Sequence, residues 1–245
     1  MFNKYPALVE NMLKVTYIGH ATVLIEWDGL NILTDPLFSS RVLFFKRLQP
    51  LKFDPSRLPK LDAVLLSHAH YDHLDLFSYK FIPGDVPIVI PEGMSAAIKG
   101  LVKNPIIELA TWSRFTLNPD CEICAVPAKH KGGRFLIPYR YRTCHGYVIS
   151  HRDEHVYFAG DTAYDSHFSR IRSLFPVKLA LLPQAFGKLD WSGFQKAWED
   201  LGQPDTLPIH WGTFFKWWDN TEALKKNCAP NEKFRLVESG ETLTL

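Results

Sequence analysis

The chain has 245 residues, 46% of them hydrophobic, and a formal net charge of +2. That length suits one large domain with a sizeable buried core. The near-balanced charge argues against a protein held mainly by nucleic-acid phosphates, and no apolar run approaches the roughly 20 residues of a membrane-spanning helix.

In chain order, the first third reads as strands. Lys14–Ile18 and Thr22–Trp27 flank Gly19-His20, Asp28-Gly29 marks a hairpin turn, and Leu30–Thr34 ends at Asp35-Pro36. Residues 37–60 mix Phe38, Phe44, Phe45 and Phe53 with Arg41, Lys46, Arg47, Lys52 and Arg57, and read as a long loop. Strands follow at 63–66 and 87–90. A helix is predicted over 93–102, with Met94, Ala97, Ile98 and Leu101 on one face. Strands near 114–117 and 122–127 lead to His130, and strands near 145–150 and 155–159 lead to Asp161. A helix at 168–175, a strand at 179–182, a helix at 192–201, a strand at 206–209 and a helix at 221–226 complete the alternation. The tail, 234–245, alternates like a strand pair around Ser239-Gly240. No Gly, Ser or Pro linker divides the chain, which predicts one domain over 1–245 with sheets inside and helices outside.

The N-terminal stretch lacks a basic segment followed by an apolar one, so no secretory signal is expected. Cys121, Cys124, Cys144 and Cys228 are too scattered for a disulfide framework, and cytoplasm is the expected compartment. Cys121 and Cys124 form a C-x-x-C, but strand alternation should send residues three apart to opposite faces, which predicts neither redox nor metal work.

The chemistry concentrates at Ser67-His68-Ala69-His70-Tyr71-Asp72-His73-Leu74-Asp75, directly after the apolar Ala63–Leu66. Imidazole and carboxylate are the ligands that borderline divalent metals accept, and a buried strand fixes them while the loop lets them converge. Three further candidates, His130, Asp161 and His210, each follow an apolar strand. Each alone is weak, but together they could converge on one sheet edge.

This order, H-x-H-x-D-H then His, Gly-Asp and His, resembles the metallo-β-lactamase superfamily. The resemblance implies an α/β (α+β) fold, a four-layer αββα sandwich with a dinuclear site at one edge of the sheets. It implies His68, His70 and His130 at a first metal, Asp72, His73 and His210 at a second, and Asp161 bridging both. Tyr17–Ile25, Leu33–Pro36, Ser67–Asp75, Tyr157–Thr162 and Ile209–Phe214 resemble the branch that holds N-acylphosphatidylethanolamine phospholipase D, with L-ascorbate-6-phosphate lactonase more distant. A His-Met-Asn-Pro-like element of that branch is missing here, where Leu182–Gly187 runs almost directly into a helix.

The implied activity is hydrolysis by a hydroxide activated between two divalent ions, zinc first, with manganese or iron also fitting N/O ligands. Asp72 and Asp161 are the candidate catalytic carboxylates. A phosphodiester, including a phospholipid, is the first expectation for substrate. A lactone or other carboxyl ester is the second, and a non-catalytic metal-binding protein the third. Asp35 is a candidate partner for a metal-bound imidazole, and His20 and Trp211 could line the site. Lys131 and Arg134, in the Gly-rich turn after His130, could hold a substrate phosphate. Tyr139, Arg140, Tyr141 and Arg142, with the 41–57 loop, could rim an anionic small-molecule or lipid substrate or touch a membrane surface. Nucleic acid is not an expected partner, and oligomeric state is not readable. Among the aromatics after the last ligand, Phe214, Phe215, Trp217 and Trp218 read as core.

Overall fold

A computed structural model describes residues 12–134, 143–185, 188–214 and 221–245. Tyr139–Arg142, Phe215, Trp217 and Trp218 lie outside these. The chain begins with an antiparallel meander, β1 (Leu13–Gly19), β2 (Thr22–Trp27) and β3 (Leu30–Thr34). A two-stranded ribbon, β4 (Arg41–Val42) with β5 (Phe45–Lys46), interrupts the expected long loop. Strand β6 (Ala63–Leu65) returns parallel to β3, followed by β7 (Ile88–Pro91), the single turn α1 (Ser95–Ile98) and β8 (Ile106–Leu109). The second half supplies β9 (Arg114–Asn118), β10 (Cys121–Pro127), β11 (His145–His151) and β12 (Glu154–Phe158). Helix α2 (His167–Leu174), β13 (Val177–Pro183), α3 (Trp191–Asp200), β14 (Asp205–Ile209), α4 (Thr221–Cys228) and β15 (Glu241–Thr244) follow.

These strands make two large sheets, ordered β15-β1-β2-β3-β6-β7-β8 and β14-β13-β12-β11-β10-β9. Period-two alternation puts Val15, Val23, Ile25 and Leu65 of the first sheet and Ile123, Tyr147, Ile149 and Phe158 of the second into one core cluster. The alternate residues Leu24, Leu33, Val64 and Ile88 face a second cluster with Tyr79, Ile82, Met94 and Ile98. In β13 Leu179 to Leu182 are all buried, as a parallel strand covered on both faces requires; α2 and α3 supply Phe168, Ile171, Phe194 and Ala197 to that core. The result is the expected four-layer αββα arrangement, with only a thin helical layer over the first sheet.

Three expectations change. The helix over 93–102 shrinks to one turn because Lys99 turns extended and Gly100 adopts φ +84°. The chain is thus redirected at Pro105 into β8, an edge strand whose partly exposed Ile106-Ile107-Glu108 gave little alternation to read. The tail is not a strand pair. Phe234 bridges Thr206 beside the second sheet, whereas β15 pairs with β1 in the first, so its two halves serve different sheets.

Cys121 and Cys124 are both buried free thiols, and burial pushes Cys121 up to about 12. Neither belongs to a metal-holding group among the described residues.

Candidate metal centre

The site is assembled from strand ends. After β6 the chain passes Leu66-Ser67 and closes the His68–Leu74 loop as a turn, with His73 N and Leu74 N donating to His70 O at 3.1 and 2.9 Å. His130 follows β10, Asp161 follows β12, His210 follows β14, and His20 sits between β1 and β2. His20 and His210 both have left-handed backbones, φ 61° and 66°, joined by His210 N donating to His20 O at 2.8 Å. Non-glycine residues hold such conformations only where the surroundings enforce them, and such strain gathers at functional sites. Gly160 (φ +57°) admits no side chain, because a Cβ there would lie 2.6 Å from Ser67 Cβ. The close approach of Gly160 to Ser67 joins the Asp161 loop to the His68 loop.

Two four-residue groups of donor atoms result, each within 4.8 Å of one another: His68, His70, His130 and Asp161, and His20, Asp72, His73 and His210; a third, Asp35, His68 and His73, overlaps both. Asp161 touches both of the larger groups. Its Oδ2 lies 3.6 Å from His68 Nε2, 3.5 Å from His130 Nε2 and 3.3 Å from His73 Nε2, and its Oδ1 lies 3.2 Å from His210 Nε2. All seven ligands implied by the resemblance are therefore brought together, and His20 joins them with Nε2 3.1 Å from Asp72 Oδ2.

The donors fit divalent metal ions. His70 Nδ1 lies 2.9 Å from His68 Nε2 and 3.1 Å from His130 Nε2. Ring nitrogens so close need a proton or a cation between them, and ligand atoms on tetrahedral zinc with bonds of roughly 2.05 Å lie roughly 3.3 Å apart. His73 Nε2, His210 Nε2 and both Asp161 oxygens are buried without a hydrogen-bond partner, a costly arrangement for a carboxylate unless something else satisfies it. Burial holds His70 at about 4, His20 and His130 at about 3, and His68 well below its ordinary value, so these imidazoles are neutral and their lone pairs free at neutral pH. Burial alone would raise Asp72 and Asp161. His73 with His20 around Asp72, and His210 with His73 around Asp161, outweigh it and hold both carboxylates well below the usual range.

Asp35 lies behind this layer. Its Oδ2 accepts from His73 Nδ1 at 2.6 Å, and its two oxygens accept from Ser67 N at 2.7 Å and Ser67 Oγ at 2.5 Å. Thr22 Oγ1 donates to Asp35 O at 2.7 Å, fixing its backbone. The contact sets the His73 tautomer and turns Nε2 inward, as carboxylates behind metal-bound histidines do. Ser67 Oγ is also 2.9 Å from His68 Nδ1, a second support that the sequence did not flag.

The remaining candidates separate. Arg134 donates through Nε to Ala69 O at 2.8 Å and through Nη2 to Leu74 O, with its guanidinium 4.4 Å from the Tyr71 ring centroid. Two of its five N–H donors thus clamp the ligand loop. Lys131 is exposed. Trp211 stacks on Tyr17 at 5.9 Å and donates to Pro208 O at 3.0 Å, so it braces the His210 turn. Phe214 packs with Leu37 and Val42. Lys188 was not anticipated: its Nζ is 2.5 Å from Asp161 Oδ2, an ion pair without hydrogen-bond geometry, and 3.3 Å from His130 Nε2. Its only signal in sequence is position, between the end of β13 and the helix-capping Asp190.

A family model described as the beta-lactamase superfamily domain matches residues 30–211, from β3 through the last strand-end histidine. The chain belongs to this family. It is 30% identical over 211 residues to a protein of Methanopyrus kandleri named as a metal-dependent hydrolase, with 82% of this chain and 85% of that protein covered. It is 33% identical over 221 residues to the mitochondrial N-acyl-phosphatidylethanolamine-hydrolyzing phospholipase D of Saccharomyces cerevisiae, covering 81% of this chain and 47% of that protein. The chain thus spans about half the length of that relative. It spans 59% of the length of a mycobacterial relative matched at 34% identity. The solved structure of Igni18, a metallo hydrolase from Ignicoccus hospitalis, matches with TM-score 0.75 and 25% identity over 96% of this chain and 98% of that one. Among the described residues no helix is long and apolar enough to cross a membrane.

Proposed function

We propose that this domain hydrolyses a phosphodiester with water activated by two divalent ions. His68, His70, His130 and Asp161 would hold the first ion and Asp72, His73 and His210 the second, with His20 in support and Asp161 shared. The observation that carries this reading is the position of Asp161, buried between both donor groups with neither oxygen hydrogen-bonded. Bound there, the ions would supply an ionised water at neutral pH and Lewis acidity toward a phosphoryl oxygen. The chain's own groups do the rest. Asp72 is the more open carboxylate, 22% exposed and held by His20, and it can orient the attacking water and accept its proton. Asp35 and Ser67 keep His73 and His68 aimed inward. The ligand set suits zinc, with manganese or iron as alternatives.

The substrate is small or lipid and anionic. The name of the yeast relative points that way, and so does the β4–β5 ribbon. Its tip exposes Phe44 at 88% and Leu43 at 57%, Leu43 in a left-handed conformation at φ 50°, flanked by exposed Arg41 and Lys46. Apolar tips with cations at their base suit the surface of an anionic bilayer. Val42 packs with Leu37 and Phe214, and Tyr71 of the ligand loop packs against the same cluster, which couples the ribbon to the metal loops. Four buried free thiols suit a reducing compartment such as the cytoplasm.

The test is a substrate panel on protein of measured metal content: bis(p-nitrophenyl) phosphate, a lactone and phospholipid vesicles. Metal-dependent release of p-nitrophenol from the diester, or of a phosphorylated headgroup, is expected. Ring opening of the lactone alone would replace this reading with a lactonase. Bound metals with no hydrolysis of any of them would leave a metal-binding protein.

A further inference from the structure

Lys188 is the group in the site that metal binding does not explain. An ammonium has no lone pair to offer a cation. Set 2.5 Å from Asp161 Oδ2 and 3.3 Å from His130 Nε2, it weakens a metal site by repulsion. Asp161 is its anionic partner in this structure, but once that carboxylate holds metal the ammonium needs another.

Its backbone is held at both ends. Lys188 N donates to Ala185 O at 3.1 Å, Leu189 is fully buried and bridges Gln184, and Asp190 Oδ1 accepts from Gly193 N at 2.7 Å to cap α3. The side chain therefore leaves a rigid base. It also lies on the open side of the centre. Lys188, His130 and His210 retain 13%, 15% and 11% exposure, whereas His68, His73 and Asp161 retain 0–1%. Together with Asp72, 22% exposed, these groups of the centre reach solvent.

We propose that Lys188 is an oxyanion subsite, its ammonium binding a non-bridging oxygen of the phosphoryl group presented to the metals. The proposal rests on the hydrolase reading above and deepens it. A lysine recognises a phosphoryl oxygen as a point charge, through a charge-assisted hydrogen bond. In a partly buried site that contact is stronger than in water, and it grows as charge accumulates on the oxygen during attack. A neutral ester or lactone carbonyl offers less charge to pair. The subsite thus selects anionic phosphoryl electrophiles over neutral carbonyl ones.

The experiment compares the metal-loaded wild type with Lys188→Met and Lys188→Arg, metals counted per chain in each. The first readout is calorimetric affinity for inorganic phosphate. It is expected to fall at least about tenfold in Lys188→Met and to recover in part in Lys188→Arg. The second is the ratio of kcat/KM for bis(p-nitrophenyl) phosphate to that for p-nitrophenyl acetate, expected to fall about 10- to 100-fold in Lys188→Met. Wild-type phosphate affinity in Lys188→Met at equal metal content would overturn the proposal. So would loss of bound metal in that variant, since Lys188 would then serve the ligand cluster. Lys188-dependent phosphate binding by a protein that cleaves no diester would keep the subsite and remove the phosphodiester reading. Diester cleavage with phosphate affinity indifferent to Lys188 would do the reverse.

Discussion

The inner and outer halves of the site are built differently. His68, His73, Asp35, Ser67 and Asp161 are buried, sit at strand ends and are locked to one another by short contacts. Asp72, His130, His210 and Lys188 keep some exposure and stand on loops rather than within strands. The inner half has one geometry enforced by two sheets, and in the proposed reading it is the part that would hold metal. The outer half is the part that would meet substrate. One scaffold can therefore keep its metal chemistry while the bond it breaks is chosen at the rim.

Acid should have the largest effect, through the buried histidines around the site. Buried His145 and His167 are each held at about 4, as is His70, and His20 and His130 lie lower still. Native imidazoles with lowered values stay neutral, while the unfolded chain takes up protons from about pH 6.5 downward. Their contribution is thus complete above about pH 6.5 and lost as pH falls toward 4. Each such histidine is worth a few kcal/mol at full loss. Denaturant titrations of chelated protein at pH 7, 6, 5 and 4 should show stability falling steadily. A flat profile would mean these histidines are hydrated in the folded protein.

Asp35→Asn removes the charge behind His73 while keeping its size. Metal affinity is expected to drop about 10- to 100-fold, measured by competition with a chelator. An unchanged affinity would reduce Asp35 to a turn residue. Gly160→Ala probes the close approach of the inner loops. With positive φ and Ser67 in the way, it should cost about 1–3 kcal/mol in thermal or denaturant unfolding. The rim should respond in the opposite manner. Phe44→Asp, at an 88% exposed position, should change stability by less than about 0.5 kcal/mol yet weaken sedimentation with anionic vesicles. Equal vesicle binding by the variant would remove the ribbon from any membrane role.

The inner half was legible in the sequence for the same reason that it is rigid. Ala63–Leu66 and Tyr157–Ala159 are uninterrupted apolar strands, and the residues that follow each one inherit a fixed place. Alternation likewise marked the meander β1–β3 and the pair β11–β12. What escaped reading depends on contacts between distant segments. Ile106–Leu109 becomes a strand by pairing with β7, and the tail divides because two sheet edges claim it. Arg134 gave no sign in sequence that two of its N–H donors would reach the carbonyls of Ala69 and Leu74. Lys188 reaches Asp161 across the fold from a turn with no periodic signal.

Metal stoichiometry tests the central claim most directly. Protein loaded with zinc and dialysed should hold two ions per chain by elemental analysis, and Asp161→Ala should hold one or none, with turnover down on the order of 10³-fold. One ion or none in the wild type, or two ions with unchanged hydrolysis in Asp161→Ala, would contradict it.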